Sequence, residues 1–508
     1  MPNRMNWEKL LCAKRISEFS SCQVAPRESN YAEVRSPFEK DFDQLIYSYP
    51  FRRLQDKTQV IPFPEFDFVH TRLTHSLEVA SVGRSLGKMA AAKIFSELGV
   101  EKIRELNLSP NDIGTLVAAA CLAHDIGNPP FGHSGEGSIS FYFKQHIDDF
   151  LKLIVNLNTS PELDTYELKR WQDLIEFEGN ANGFRIITRN CEKGINPTAA
   201  LLGTFTKYPR ESRLFSISSS EAIGKSMSKY GFFQSERDIF QQMATELELL
   251  KHPKVSKEDL AFCRHPLAFL MEASDDIAYG IIDFEDGCRL NLIDFNKTYT
   301  KIKFRNKKGK MEEHRIDASP VDLFIDIAKM DSSYDEGKPI KEMEFKEALS
   351  YLRSKVINVL THECFQIFEN HYESIMQGTF SNSLIDEIRP EIKDKMDKMK
   401  KLVKKYVYNY SPVLQSEASG FEVMYYLIDA FAVTSNICIT CGEEPDERSL
   451  KLRSLLPEEY SPTEETEDNN LTSTEIYERL MLVLDYVSGM TDNYAMSMYR
   501  KIKGILHH

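Results

Sequence analysis

Ile113-Gly114-Thr115-Leu116-Val117-Ala118-Ala119-Ala120-Cys121-Leu122-Ala123-His124-Asp125-Ile126-Gly127-Asn128-Pro129-Pro130-Phe131-Gly132-His133 is the stretch on which the reading of the fold turns. From Ile113 to His124 it is almost wholly small and apolar, which predicts a buried helix. The run Asn128 to Gly132 then breaks the chain sharply. The helix therefore ends on His124-Asp125, an imidazole beside a carboxylate, and both are good ligands for divalent first-row metals. Adjacent helical residues point about 100° apart, so the pair converges on one ion only near a helix end or beside other helices. Alone, a His-Asp dipeptide says little, because a buried, hydrogen-bonded histidine is the plainer reading.

The neighbouring periodic segments sharpen it. From Thr74 to Glu97 apolar residues recur at Leu77, Val79, Ala80, Val82, Leu86, Met89, Ala90 and Ile94. That is a helical period with Thr74 as a plausible cap, and it places His75 at the helix start as a third candidate ligand. A further helix fits Pro266 to Phe284, where Ser274-Asp275-Asp276 supplies a fourth. Asp275, Tyr279 and Asp283 are spaced i, i+4, i+8 and share a face. Ile277, Ala278, Ile281 and Ile282 lie between them, so the helix should be largely buried, and buried carboxylates must be paired, hydrogen-bonded or metal-bound. Two histidines and two carboxylates make a mixed nitrogen and oxygen site with positions left for water, which suits catalysis. The span Thr71 to Glu136 also holds His133 and Glu136, in a chain with only 12 histidines.

Composition bounds the rest. The chain has 508 residues, 42% apolar and 28% charged, with a formal net charge of -14. It is long enough to bury a sizeable core. The charge excludes a surface basic all over, as a dedicated nucleic-acid coat requires, but not a local basic pocket. Nine cysteines are scattered, and Cys438 with Cys441 reads as two reduced thiols. Met1 to Ser20 mixes charges of both signs and is no signal peptide. No stretch approaches the ~20 apolar residues of a membrane helix, so a cytoplasmic protein is expected. Most of the chain reads as helix. Thr298 to Arg315 alternates and predicts a two-stranded excursion with a turn near Asn306 to Gly309. Met330 to Lys341 and the acidic stretch Glu458 to Thr474 read as exposed loops. The expectation is an all-α fold: one large helical domain over 1–508, a metal-site core over 70–285 and a small β-hairpin-like excursion.

Around these residues lie longer words. Arg52-Arg53-Leu54-Gln55-Asp56-Lys57-Thr58-Gln59-Val60, Thr71-Arg72-Leu73-Thr74-His75-Ser76 and His124 to His133 resemble bacterial deoxyguanosine triphosphate triphosphohydrolases (dGTPases) of the HD superfamily. So do Glu178-Gly179-Asn180-Ala181, Met271 to Asp276, and Tyr486-Val487-Ser488-Gly489-Met490-Thr491-Asp492. The words run in family order from about residue 35 to the C-terminal end. The region 291–385 is the least similar and reads as a possible regulatory elaboration.

The resemblance implies hydrolysis of a deoxynucleoside triphosphate, dGTP foremost, to the deoxynucleoside and tripolyphosphate, with Mg²⁺ or Mn²⁺ as cofactor. It implies that His75, His124, Asp125 and Asp275 are the ligands, with Asp275 preferred to Asp276 because it precedes Tyr279 by four residues. It makes His133 the general acid to the leaving 5′-oxygen, with Glu136 orienting it. Gln59 and Asp283 match positions that sense the sugar 3′-hydroxyl, and Tyr279 matches a tyrosine that packs on the deoxyribose and crowds a 2′-hydroxyl. Arg72 stands within reach of the α-phosphate, Asn128 belongs to the substrate-binding word, and Lys207 and Lys229 resemble lysines that hold the phosphate tail. A homo-oligomer, a hexamer by family analogy, and a nucleotide or single-stranded DNA effector are also implied. The basic segment Lys297 to Lys310 is a candidate for the effector, although a solvated hairpin is the simpler reading. Two other functions remain open from sequence. One is an HD phosphohydrolase acting on monophosphates or signalling nucleotides. The other is a nucleic-acid-binding scaffold with a relict site.

Overall fold

Local start signals set the helices that carry the candidate ligands. The computed structural model describes residues 4–19, 34–61, 69–146, 165–189, 195–216, 224–256, 258–305, 309–432, 447–461 and 472–505. Helix α1 spans Arg72–Glu105, and its cap lies three residues before the expected one. Thr71 is the cap: its backbone N–H donates to Thr74 Oγ1 at 3.0 Å and its side chain accepts from the Thr74 N–H. This reciprocal box puts Arg72 and His75 together in the first turn. Leu77, expected on the apolar face, is exposed instead. It lies two residues from His75 and Val79, so at 100° per residue it points away from the face they bury.

Helix α2, Pro110–Ala123, starts with Ser109 and Asp112 in the same kind of box and with proline at its first position. Every residue from Leu116 to Ala123 is buried, as an all-round apolar helix requires. It packs along α1, and the two approach most closely at glycines. A Cβ on Gly87 would stand 2.8 Å from the Ile113 carbonyl oxygen and 2.9 Å from Gly114 Cα. Helix α3, His133–Gln145, follows the Gly/Pro turn, and α4 spans Gly179–Arg189. Helix α5, Pro266–Arg289, is the buried spine: its His265 cap accepts from the Leu267 N–H and its first residue is proline. It runs past the expected end at Phe284 because Gly287 and Cys288 are also buried and Glu285 pairs with Arg289 one turn on.

The excursion is a hairpin, as expected. Strands β1, Tyr299–Arg305, and β2, Met311–Ala318, pair antiparallel, with Ile302 opposite His314 and Phe304 opposite Glu312. Ile302, Phe304 and Ile316 turn inward, while Lys301 and Lys303 both reach Glu313. Helix α6, Pro390–Tyr406, buries Ile392, Met396, Met399, Leu402 and Val403 along one face and sets Met396 against Gly280 of α5. Helices α7, Ser411–Ala432, α8, Ser473–Ser488, and α9, Asp492–Lys503, complete the C-terminal part. Among the described residues two clusters of buried apolar side chains form. The larger contains α1, α2 and α5, and the smaller joins α3, α7 and α8 around Tyr142, Phe143 and Phe431. Apart from the hairpin the described residues are helical or irregular, an all-α fold. Cys438, Cys441, the turn residues 306–308 and most of the acidic loop lie outside them. Ile340 and Asp331, within the segment read as an exposed loop, are buried. No described helix is long and apolar enough to cross a membrane.

The glycine crossing of α1 and α2 has a measurable consequence. Gly87→Ala adds a methyl against backbone atoms, which cannot move aside as a flexible side chain can. The overpacking outweighs the gain of about 1 kcal/mol in helix propensity. Urea unfolding should show a loss of about 1–3 kcal/mol.

Candidate metal centre

The end of α2, the first turn of α1 and the middle of α5 meet at one point. His75 Nε2 lies 3.2 Å from Asp275 Oδ1, and His124 Nε2 lies 3.5 Å from the same oxygen. One ligand atom from each of His75, His124 and Asp275 falls within 4.8 Å of the others. His124 Nδ1 donates to the Cys121 carbonyl at 2.7 Å, which leaves Nε2 as the lone-pair nitrogen facing the cluster. That Nε2 is buried and has no hydrogen-bond partner. An orphaned imidazole nitrogen beside a second imidazole and a carboxylate fits a divalent ion and leaves an unmet cost without one. Burial would push the Asp275 carboxyl up, but His124, His75 and Lys207 hold it well below the ordinary carboxylate range. Asp276 lies outside the cluster, and burial raises its carboxyl to about 6.

Asp125 stands at the edge of this group, with Oδ1 3.5 Å from His124 Nε2. Arg72 Nη1 donates to Asp125 Oδ2 at 2.7 Å, and Asn128 Nδ2 donates to Oδ1 at 2.5 Å. Against the cost of burial, Arg72 and the two histidines lower the Asp125 carboxyl to about 2. In this arrangement Arg72 is directed at Asp125, and its guanidinium closes on the turn that follows. A Cβ on Gly132 would stand 2.7 Å from Arg72 Nη2. Phe131 and Gly132 have φ of +61° and +55°, a conformation costly for phenylalanine that swings the chain into α3.

His133 opens α3 with its side chain exposed, and its Nδ1 meets Glu136 Oε2 at 2.7 Å. The other oxygen of Glu136 accepts from the Gly179 N–H at 2.9 Å, so the carboxylate is held at both ends. Burial would raise Glu136, but the bond to His133 and the nearby charges of His133 and Lys229 hold it below its usual value. Lys229 Nζ donates to Glu178 Oε1 at 2.9 Å. Lys207 Nζ lies 3.6 Å from Glu272 and 3.9 Å from Asp275. Burial opposes its charge, yet those carboxylates raise its pKa well above the ordinary lysine value. Gln59 is half-buried with an unpartnered Oε1.

Tyr279 and Asp283 lie one turn apart on α5, and a residue that sequence reasoning missed joins them. The Tyr408 hydroxyl lies 2.6 Å from the Tyr279 hydroxyl and donates to Asp283. Burial raises the Asp283 carboxyl to about 7, with the Tyr408 bond opposing. Two more residues escaped notice. Lys57, buried inside a quoted word, donates to the Asn128 and Ser488 carbonyls at 2.5 and 3.0 Å. Arg264 Nη1 anchors Glu272 at 2.6 Å. The only signal for Lys57 was its place in that word, and for Tyr408 its place after an amphipathic helix. A separate cavity of about 450 Å³, lined by residues including Tyr47, Tyr49, Arg53, Arg189 and Tyr460, contains none of the expected site residues.

Comparison with known proteins agrees with this geometry. The HD domain model matches residues 72–177, and the model of a phosphohydrolase-associated domain matches 387–501. A deoxyguanosinetriphosphate triphosphohydrolase-like protein of Synechocystis sp. is 36% identical, covering 99% of this chain and all of the relative. A protein of the same description from Pseudomonas aeruginosa is 32% identical over 98% of this chain and 99% of its own. The deoxyguanosinetriphosphate triphosphohydrolase of Cronobacter sakazakii is 29% identical over 99% of this chain and 98% of its own. With identity of this extent along its whole length and His75, His124 and Asp275 gathered at one point, the chain belongs to the dGTPase family of the HD superfamily and is a metal-dependent phosphohydrolase.

Proposed function

We propose that the protein hydrolyses deoxynucleoside triphosphates, dGTP foremost, to the deoxynucleoside and tripolyphosphate. The observation that carries this reading is the cluster of His75, His124 and Asp275 with the Lys207 ammonium 3.9 Å from the same aspartate. It sets a cation for a phosphate chain beside a ligand set for a divalent ion. His75, His124 and Asp275, with Asp125 at their edge, would hold Mg²⁺ or Mn²⁺. When bound, such an ion acidifies water and neutralises charge on phosphoryl oxygens.

The protein's own groups do the rest. Lys207 and Lys229 offer charge-assisted bonds to the tail, which carries about four negative charges. Arg72, kept on Asp125, fixes that carboxylate and adds positive charge close to where the α-phosphate would lie. Water adds to the α-phosphorus, the bond to the 5′-oxygen breaks, and His133 gives the leaving oxygen its proton. Glu136 holds the imidazole by Nδ1 and leaves Nε2 as the nitrogen turned to the leaving oxygen. Tyr279, braced by Tyr408, would face the sugar and crowd a 2′-hydroxyl, while Asp283 and Gln59 would meet the 3′-hydroxyl. The unpartnered Gln59 Oε1 supports that role, since a substrate hydroxyl would satisfy it.

Purified protein with Mn²⁺ should release tripolyphosphate from dGTP, resolved by anion exchange, and chelation should stop it. Release of pyrophosphate or monophosphate alone would contradict the reaction. Running all four deoxynucleotides and GTP in parallel reads the base preference. His124→Ala should lower turnover by at least about 10²-fold and weaken Mn²⁺ binding in calorimetry. Tyr279→Ala should narrow the preference for dGTP over GTP by about ten-fold, measured as the ratio of kcat/KM values.

A further inference from the structure

Asp492 opens α9, far along the chain from the ligands, yet it is buried and both of its oxygens are used on loop backbone. Oδ1 accepts from the Phe131 N–H at 3.0 Å, and Oδ2 accepts from the Thr58 N–H at 2.9 Å. These two amides belong to the two irregular segments that carry the proposed sugar contact and the proposed proton donor. Thr58 immediately precedes Gln59. Phe131 is the left-handed residue of the turn that delivers His133.

Other contacts tie the Lys57–Thr58 segment to the turn and to the start of α1. Lys57 donates to the Asn128 carbonyl, and its own carbonyl accepts from the Arg72 N–H at 3.1 Å. Thr58 pairs with Thr71 in an isolated bridge. A phenylalanine with positive φ persists only where its surroundings overdetermine it. Asp492 supplies one such constraint, and the packing of the Phe131 ring on Gly420 supplies another, since a Cβ there would lie 2.4 Å from the ring. A carboxylate is the side chain suited to this place. It accepts at both oxygens, whereas an amide of the same shape accepts at one and presents a donor to the other N–H.

We infer that Asp492 is a positioning residue that holds Gln59 in register with the 128–133 turn and so sets how strongly the enzyme discriminates by the sugar 3′-hydroxyl. It touches neither the substrate nor the ion. It acts through two backbone amides, and its effect on specificity runs through Gln59. This rests on the deoxynucleotide reading of the site.

The test compares kcat/KM for dGTP and 2′,3′-dideoxyguanosine triphosphate in the wild type, Asp492→Asn, Gln59→Ala and the double variant. The ratio of the two constants does not depend on the active fraction, so a purely structural loss leaves it unchanged. In Asp492→Asn the preference for dGTP should shrink about ten-fold, the scale of one charge-assisted hydrogen bond lost. In the Gln59→Ala background the same change should leave the ratio unaltered, the non-additivity expected when one residue acts through another. An unchanged ratio in Asp492→Asn, or equal shifts with and without Gln59, overturns the inference. If the amide variant does not fold, Asp492→Ser, small enough to admit a bridging water, is read in the same way. Wild-type protein that releases no tripolyphosphate overturns the functional reading and this inference with it. Wild-type release with an unmoved ratio overturns the inference alone.

Discussion

The Arg72–Asp125 ion pair is the contact on which the rest of the site depends. It joins the first turn of α1 to the chain just past α2, with both partners buried and 2.7 Å between them. Removing one partner of such a pair leaves an uncompensated buried charge, which typically costs about 3–5 kcal/mol. The pair also explains its surroundings. Thr71 caps α1 where it does, and so Arg72 sits in the first turn. Gly132 carries no side chain, and so the guanidinium can lie against the turn. Asn128 takes the remaining carboxylate oxygen, so Asp125 is oriented from two sides.

Several of the chemical groups are held in the same way, by a second residue. Cys121 sets the tautomer of His124, Glu136 holds His133 and is itself held by Gly179, and Arg264 anchors the Glu272 that stands beside Lys207. Buried polar groups satisfied at both ends rigidify a site, whereas half-satisfied ones loosen it. Unpartnered buried atoms in the site include Arg72 Nε, His75 Nδ1, His124 Nε2 and Gln59 Oε1, all on residues proposed above to bind the ion or the substrate.

Much of this was legible in the sequence, for identifiable reasons. His124-Asp125 was readable because a wholly apolar helix ends there in a Gly/Pro turn, and the preference for Asp275 over Asp276 followed from a shared helical face. The hairpin showed through its alternation. Periodicity does not encode which distant side chains meet. Tyr408 reaches Asp283 from 125 positions away, and Lys57 joins carbonyls 71 and 431 positions on. The resemblance pointed Arg72 toward a phosphate, and the structure turns it to Asp125. The sequence leaves the start of α1 ambiguous because threonine at 71 and at 74 both qualify as caps, and only their reciprocal bonding decides for Thr71.

The glycine contact between α1 and α2 bears on how the ion is taken up. Backbones that touch at Gly87 and Gly114 cannot slide past one another, and these two helices deliver His75 and His124. The packing of the two helices thus helps to set the spacing of the imidazoles, whose ring centroids lie 5.2 Å apart. In small zinc domains metal affinity and folding free energy are the same quantity. Here the helices that carry the donors are ordered by a large apolar core, and the ion would meet donors which that packing places. Metal choice in such a site is governed by donor chemistry and fixed spacing rather than by the capacity of the chain to reshape itself around what it binds.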